Sequence, residues 1–495
     1  MTDTTASNTA SQGHITGYGT KSYRTYVLLV LMVVYTLNFI DRNLMGVLAQ
    51  PIKESFGLSD GQFGILAGWP FALFYAVMGL PIAMMADRSN RVRIIAACII
   101  LWSIMTALCG FAAGFWTLLI FRVGVAVGEA GCTPPANSII GDYFQARSRA
   151  TALGIYSMGV TIGGVLANLF AGPISDMEGA TFGNWLGSIG LGGMFRGIDW
   201  SSVEGWRIAF VVIGVPGILI AALLLFTIKE PPRGYSDPPQ ATPVEKANLR
   251  ETLKELYSKP SFWWMTAGAS LVAFVGYGLF TFQIPFLVRE HGLTNGEAAV
   301  HYGAPLAALA AAGTFFGGFL TEKLTSWSKT AVAWIPAIGL LIAVPAYIAA
   351  FYSSNLTMVF IFWSIAAVSH YAYLGAQYNI GQGVVSSQSR ATAIAVLLII
   401  VSIIGNGIGP QFVGMVSDYL MTQHLAASSM PDLTQAMCLD KGLEKSVEQL
   451  AVCAKATSEG LKQSVSITVC WFIVAAGCFL MSARTLKQDF VAELG

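Results

Sequence analysis

Acidic and basic side chains are missing over long stretches of the chain. None occurs in residues 62–86, 94–121, 151–175, 208–228, 260–288, 298–321, 330–389, 391–417 or 463–483. A helix needs roughly 20 apolar residues to cross the hydrocarbon of a bilayer, so most of these stretches are one crossing long. Residues 330–389 are enough for two, and the polar turn YSSNL at 352–356 divides them. Two further apolar runs, 26–50 and 116–140, carry a few charges each. The pattern predicts twelve membrane-spanning segments. They are expected to be helices, because lipid offers no partner for an unpaired backbone group. A barrel would show short alternating segments instead.

Composition agrees with this pattern. The chain has 495 residues, 55% hydrophobic and 11% charged, against about 25% charged in a soluble domain. A net charge of +1 gives no electrostatic footprint for nucleic acid. Residues 1–24 are polar and read as a disordered tail, with no short apolar segment and cleavage site of a signal peptide. Lys and Arg favour the cytoplasmic side. With the N-terminus cytoplasmic, that side collects 18 of the 28 Lys and Arg residues and the other side eight, the rest being Arg42 and Arg122 inside spans. Both termini are therefore expected in the cytoplasm, in a multi-pass protein of the cell membrane (the inner one in a Gram-negative bacterium).

The chain also repeats itself. RATALGIYSMGVTIGGVLANLFAGPISD at 149–176 reads against RATAIAVLLIIVSIIGNGIGPQFVGMVSD at 390–418. The two copies fall in the fifth and eleventh spans. This predicts an all-α integral membrane protein with twelve transmembrane helices in two pseudo-symmetric six-helix halves, related by an axis along the membrane normal. The expected division is a tail at 1–24, a first half at 25–228, a cytoplasmic linker at 229–259, a second half at 260–486 and a tail at 487–495.

GLPIAMMADRSNRVRII at 79–95 resembles the loop signature of the major facilitator superfamily, with Ala83 in place of the first glycine and Asn90 in place of the second. FRVGVAVGEAGCTPPANSIIGDYF at 121–144 is similar to the fourth span of that superfamily, most of all in its spinster branch. GWRIAF at 205–210 fits the sixth span, and GGFLTEKL at 317–324 resembles a degenerate second loop signature. The resemblance implies the major facilitator fold, with spans one, four, seven and ten lining a central cavity. It implies a transporter working by alternating access. Spinster proteins are implicated in moving lysophospholipids and sphingosine phosphates.

Four charges lie within spans. Asp41 and Arg42 are in the first, Arg122 and Glu129 in the fourth. At 1.5 Å per residue, Asp41 sits roughly 24 Å along the first span and Arg122 roughly 9 Å down the fourth, at similar heights. Glu129 is two turns deeper on the same face. Charges at such depth face protein or water and mark ion or substrate paths. They could form only a neutral staple between two helices. As a working site, burial raises and arginine lowers a carboxylate pKa, which suits Asp41 and Glu129 to proton coupling. Arg42 and Arg122 suit a phosphate or carboxylate, since the guanidinium donates two parallel bonds. The second half offers neutral and aromatic groups: Tyr277 and Thr281 in the seventh span, His370, Tyr373 and Gln377 in the tenth. They could merely bond helix to helix. As a set they suit the apolar body of an amphipathic ligand whose head lies on the first half.

The expected partners are thus a lipid or small-molecule anion, protons and the bilayer, with a monomer as the expected state. Asp87 and Arg88, Arg149, Glu322 and Arg390 are expected at a cytoplasmic gate, with Asp87 paired to Arg390 and Glu322 to Arg149 by the repeat. No phosphate loop, serine elbow or zinc motif occurs, so neither a cofactor nor a metal is expected. An enzyme using His370 and Glu129 lacks a nucleophile. A symporter of a small organic anion and a passive lipid scramblase or channel share the same signals. Glycine pairs at 124/128 and 159/163 mark close helix packing. Cys438 and Cys453 both fall in the last non-cytoplasmic loop, where an oxidising compartment favours pairing. Mass spectrometry of unreduced peptides should show them linked; free thiols at both positions would contradict it.

Overall fold

The computed structural model describes residues 17–195, 197–236, 249–325, 327–328, 330–386 and 388–490. Among them no strand occurs, and twelve helices are long and apolar enough to cross a membrane. They are α1 (Lys21–Val47), α2 (Asp60–Ala86), α3 (Arg91–Cys109), α4 (Phe115–Tyr143), α5 (Ala146–Ser175), α6 (Gly205–Thr227), α7 (Pro260–His291), α8 (Asn295–Thr325), α9 (Ala331–Phe351), α10 (Leu356–Gly383), α11 (Thr392–Ala426) and α12 (Val447–Asp489). The chain divides into two compact units. One comprises residues 1–45 and 73–244, the other 46–72 and 245–495. Residues 46–72, which precede the linker in sequence, belong with the second unit.

In the first unit, small residues let the helices approach closely. A side chain on Gly163 of α5 would meet the Thr36 carbonyl of α1 at 2.7 Å, and one on Gly128 of α4 would meet the Trp102 backbone nitrogen of α3 at 2.8 Å. This is the packing predicted from the glycine spacing. The ends near the N-terminus are tied by polar groups. Arg91, the first residue of α3, is 1% exposed and donates to Asp142, to Glu230 at 2.6 Å and to the Pro231 carbonyl. Arg233 donates to the Ala86 and Ser89 carbonyls. The polar tail is shorter than the sequence suggests: Tyr18 packs edge-on against Tyr143 and Tyr235, and helix begins at Lys21. The rest of the expected tail, 1–16, and most of the linker, 237–248, lie outside the described residues, as do 491–495.

In the second unit, α12 packs along α7, α9 and α11. Two helices contain a wider turn, at Ala299–Gly303 in α8 and Ile403–Ile408 in α11, a feature frequent at functional places. The short helix Ala49–Phe56 and the first two turns of α2 lie on α7 and α11. A side chain on Gly68 would meet the Gly407 carbonyl at 2.7 Å. Cys438, in the short helix Gln435–Leu439, is disulfide-bonded to Cys453 of α12.

Forcing a branched side chain between packed helices costs typically 1–3 kcal/mol. Gly163→Leu should therefore lower the melting temperature of the purified protein. Gly79→Leu, at a position with open space around it, should not. Equal melting of both variants would contradict the close α1–α5 packing.

Candidate functional site

The charges inside α1 and α4 gather in one buried cluster. Asp41 and Arg42 are neighbours late in α1, and Arg122 and Glu129 lie two turns apart on α4. Arg122 is 1% exposed, Asp41 3% and Glu129 0%. Arg42 reaches across from α1 and donates to Glu129 Oε2 from Nε at 3.1 Å and from Nη2 at 2.9 Å. Its guanidinium lies 4.8 Å from the ring centres of both Phe39 and Tyr75, close enough for a cation–π attraction. Thr106 of α3 donates its hydroxyl to Asp41. Both arginines act electrostatically on both carboxylates.

Two carboxylates and two guanidiniums cancel formally, which makes so many buried charges tolerable. The cancellation is incomplete at the level of atoms. Asp41 Oδ1 and Glu129 Oε1 are buried without a well-formed hydrogen bond among the described residues, with the Asn38 amide a further donor acting on Glu129. A buried acceptor left unmade is costly. A proton on either oxygen would convert it from acceptor to donor, so both positions are places for a proton. Tyr35, stacked on Tyr156 with ring centres 4.4 Å apart, belongs to the same neighbourhood. The tyrosines were missed in the sequence because aromatic residues are common along every span.

The polar groups of the second unit are more deeply set than helical spacing suggests. His370 is 3% exposed, its Nδ1 is 3.3 Å from the Tyr347 hydroxyl, and Phe472 packs on its ring at 4.7 Å. Tyr373 and Gln377 are also buried. The helix is interrupted at Ala372, between His370 and Tyr373. Thr281 gives its hydroxyl to the Tyr277 carbonyl at 2.9 Å. Of this set Tyr277 is the most open, at 37%.

A second charged cluster, which the sequence reading left as loop charges, lies at the end of the second unit that includes His291. Arg289 of α7 grips Asp60, the first residue of α2, with two bonds of 2.9 Å and donates a third to Gln50 at 2.8 Å. Lys53 donates to Asp60 as well. Ser417 of α11 adds its hydroxyl to Asp60 at 2.6 Å. Asp60, Lys53 and Ser417 are all at most 5% exposed. Burial, and then the Arg289 charge, push the Lys53 ammonium down to about 8, against the pull of Asp60. Asp60 thus lies between two cations, and the Asp418 carboxylate acts on Lys53 as well. Asn295 fixes the end of α1 by donating to the Val47 carbonyl at 2.9 Å.

Of the residues expected at a gate, Arg88 and Glu322 are exposed and Arg390 is half-buried. Arg149 donates to the Gly141 carbonyl at 2.7 Å. The Asp87 side chain lies outside the described residues. No group of three His, Cys, Asp or Glu side chains able to hold a metal occurs among the described residues.

A sequence profile described as "Major Facilitator Superfamily" matches residues 31–410. The chain is 56% identical to a bacterial homologue of the human lysosomal transporter spinster, whose crystal structure is in an inward-facing and unoccupied conformation. That match covers 96% of this chain and all of the other, with a TM-score of 0.90. An "MFS-type efflux pump" of Mycolicibacterium smegmatis is 31% identical over 401 residues, 81% of this chain and 86% of the pump. "Protein spinster homolog 1" of Xenopus laevis is 26% identical over 416 residues, 81% of this chain and 74% of that protein.

Removing one partner of a buried ion pair costs about 3–5 kcal/mol, because the other charge is left uncompensated. Asp60→Asn leaves Lys53 and Arg289 without their anion. Amide hydrogen exchange over residues 57–67 should accelerate in this variant. Unchanged protection would show that the cluster does not hold the start of α2.

Proposed function

We propose, for a chain that belongs to the major facilitator superfamily and is a transporter of the spinster type, that it moves an amphipathic, anionic lipid across the cell membrane by proton-linked alternating access. The family and fold are those of transporters, not enzymes. The observation that carries the coupling is the Glu129 carboxylate. It is fully buried, held by Arg42 through one oxygen, and without a well-formed hydrogen bond at the other. Protonation at Glu129 weakens its hold on Arg42. A guanidinium so released suits an incoming phosphate or carboxylate, since its fork matches both. Asp41, next to Arg42 in sequence and also without a well-formed hydrogen bond at one oxygen, is the second proton site. The Glu129 carboxylate and the anion then compete for one guanidinium, and a proton on Glu129 decides for the anion, which links the movements of proton and anion.

The rings around Arg42 favour a ligand with an apolar part. Phe39 and Tyr75 flank the guanidinium, and Tyr35, backed by the buried ring of Tyr156, adds to the aromatic surroundings. Tyr277 and Thr281, with His370, Tyr373 and Gln377 behind them, are assigned to the lipid body. In the cell membrane both termini face the cytoplasm, so the Asp60–Arg289 cluster lies at the outer end. Asp87, Arg88, Arg149, Glu322 and Arg390 are assigned to the inner gate.

Flux into vesicles containing the purified chain tests the reading, with a lysophospholipid set against a sugar acid under an imposed pH gradient. Lysolipid flux that needs the gradient supports it. Flux of the sugar acid alone would make the chain a symporter of small anions, and lysolipid flux indifferent to the gradient would make it a passive path. Asp41→Asn and Glu129→Gln should each abolish the gradient dependence with expression intact. Arg42→Lys keeps charge but loses the fork. Its transport should fall roughly 10- to 100-fold, matching the 1.5–3 kcal/mol of a charge-assisted bond. Parental flux in all three variants would overturn the assignment.

A further inference from the structure

We infer that Asp418 is a positioning residue of the transport cycle, acting with Ser59 and Ser417 as a reciprocal latch that seats the start of α2 on α11 and holds Asp60 against Arg289. The inference rests on the alternating-access reading above and adds to it a residue outside the charged pair.

The geometry is a mutual exchange between two Ser-Asp dipeptides. Ser59 donates its hydroxyl to Asp418 Oδ2 at 2.6 Å, and Ser417 donates its hydroxyl to Asp60 Oδ2 at 2.6 Å. Each dipeptide satisfies the carboxylate of the other. Asp418 does more. It accepts the backbone N–H of Asp60 at 2.9 Å and that of Gly61 at 2.8 Å. These are among the first amides of α2, which have no partner inside the helix. A carboxylate there also meets the positive end of the helix dipole. A fourth bond, 2.7 Å from Gln435 Nε2, comes from the short helix that the Cys438–Cys453 disulfide ties to α12.

The surrounding backbone is shaped for this contact. A side chain on Gly61 would strike Asp418 Oδ2 at 2.7 Å, and one on Gly414 would run into the Asp60 carbonyl. Two glycines thus face each other's Ser-Asp pair across the α2–α11 contact. Asp60 receives only side-chain donors here: Arg289, Lys53 and Ser417. Its direction therefore depends on where the first turn of α2 is placed, and Asp418 places that turn. The Arg289–Asp60 pair supplies attraction. The Asp418 contacts supply register, and they can form only while α2 and α11 touch at this end. Opening the outer end breaks the whole set together, so loss of Asp418 weakens closure through Asp60 rather than beside it.

The test is the distance distribution between spin labels on Ser55→Cys and Ser354→Cys, both in the second unit, in purified protein in lipid nanodiscs. The parent should show a dominant short distance and a minor longer one. Asp418→Ala should raise the longer population roughly fivefold or more, the factor that 1 kcal/mol or slightly more produces. Asp418→Asn, which keeps one acceptor oxygen, should fall between the two. Ser59→Ala, a milder change that keeps the fold, should shift the population in the same direction. In an Asp60→Asn background Asp418→Ala should add little, since residues acting as one unit are not additive. If Asp60→Asn raises the longer population and Asp418→Ala does not, the latch is wrong while alternating access stands. Full additivity of the two changes would overturn it in the same way, because Asp418 would then act beside Asp60. If no variant and no pH populates a second distance, alternating access at this end fails and the latch fails with it.

Discussion

A carboxylate inside a membrane protein must be paired, protonated or expelled, and Glu129 organises the first unit around that necessity. It is fully buried on α4, and its partner arrives from another helix as the side chain of Arg42. Because Arg42 follows Asp41 directly, the same turn of α1 brings a second acid into the cluster, which Thr106 of α3 then engages. Three helices are fixed to one another by one charge requirement. The close glycine contacts of α5 on α1 and of α4 on α3 bring the backbones near enough for these side chains to meet.

The same requirement is met differently in the second unit. There the stretches assigned to the lipid body, residues 260–288 of α7 and 356–383 of α10, carry no Asp, Glu, Lys or Arg, and a charged cluster forms at one end of α7, where Asp60 lies between Lys53 and Arg289. Its hydroxyl and backbone contacts with α11 turn an ion pair into an aligned joint. Residues 46–72 pack with the second unit because this joint, the Asn295 bond to Val47 and the Gly68 contact all pull the same way. A segment early in sequence is thereby built into the structure of the later half.

Much of this was legible in the sequence. Twelve spans follow from the spacing of charges, and the charges that break the rule at Asp41, Arg42, Arg122 and Glu129 fall in one cluster. The glycine spacing at 159/163 predicts close helix packing there, and the partner turns out to be α1. Other features leave no local signal. Lys53 and Arg289 sit at or beyond span ends, where a count of Lys and Arg treats them as topology markers, and Asp60 and Asp418 do not enter that count. Nothing in one strand of text says that Ser59-Asp60 will meet Ser417-Asp418, although the second pair closes the internal repeat. The helical phase that groups His370 with Tyr373 and Gln377 gives no sign of the break at Ala372 or of the packing of Tyr347 and Phe472 on the imidazole. That Arg42 holds Glu129 required knowing how α1 and α4 are rotated, which hydrophobic phase cannot fix when both helices are apolar on every side.

Competition between the Glu129 carboxylate and the anion for the Arg42 guanidinium, decided by a proton on Glu129, is the central claim, and it has a direct thermodynamic signature. Titration calorimetry of an anionic lysolipid into the purified protein, repeated in buffers of different ionisation enthalpy, reads the protons exchanged on binding. The account predicts that binding takes up close to one proton at neutral pH, and that Glu129→Gln binds without this uptake. Binding of the same affinity with no proton exchanged by the parent protein would contradict it.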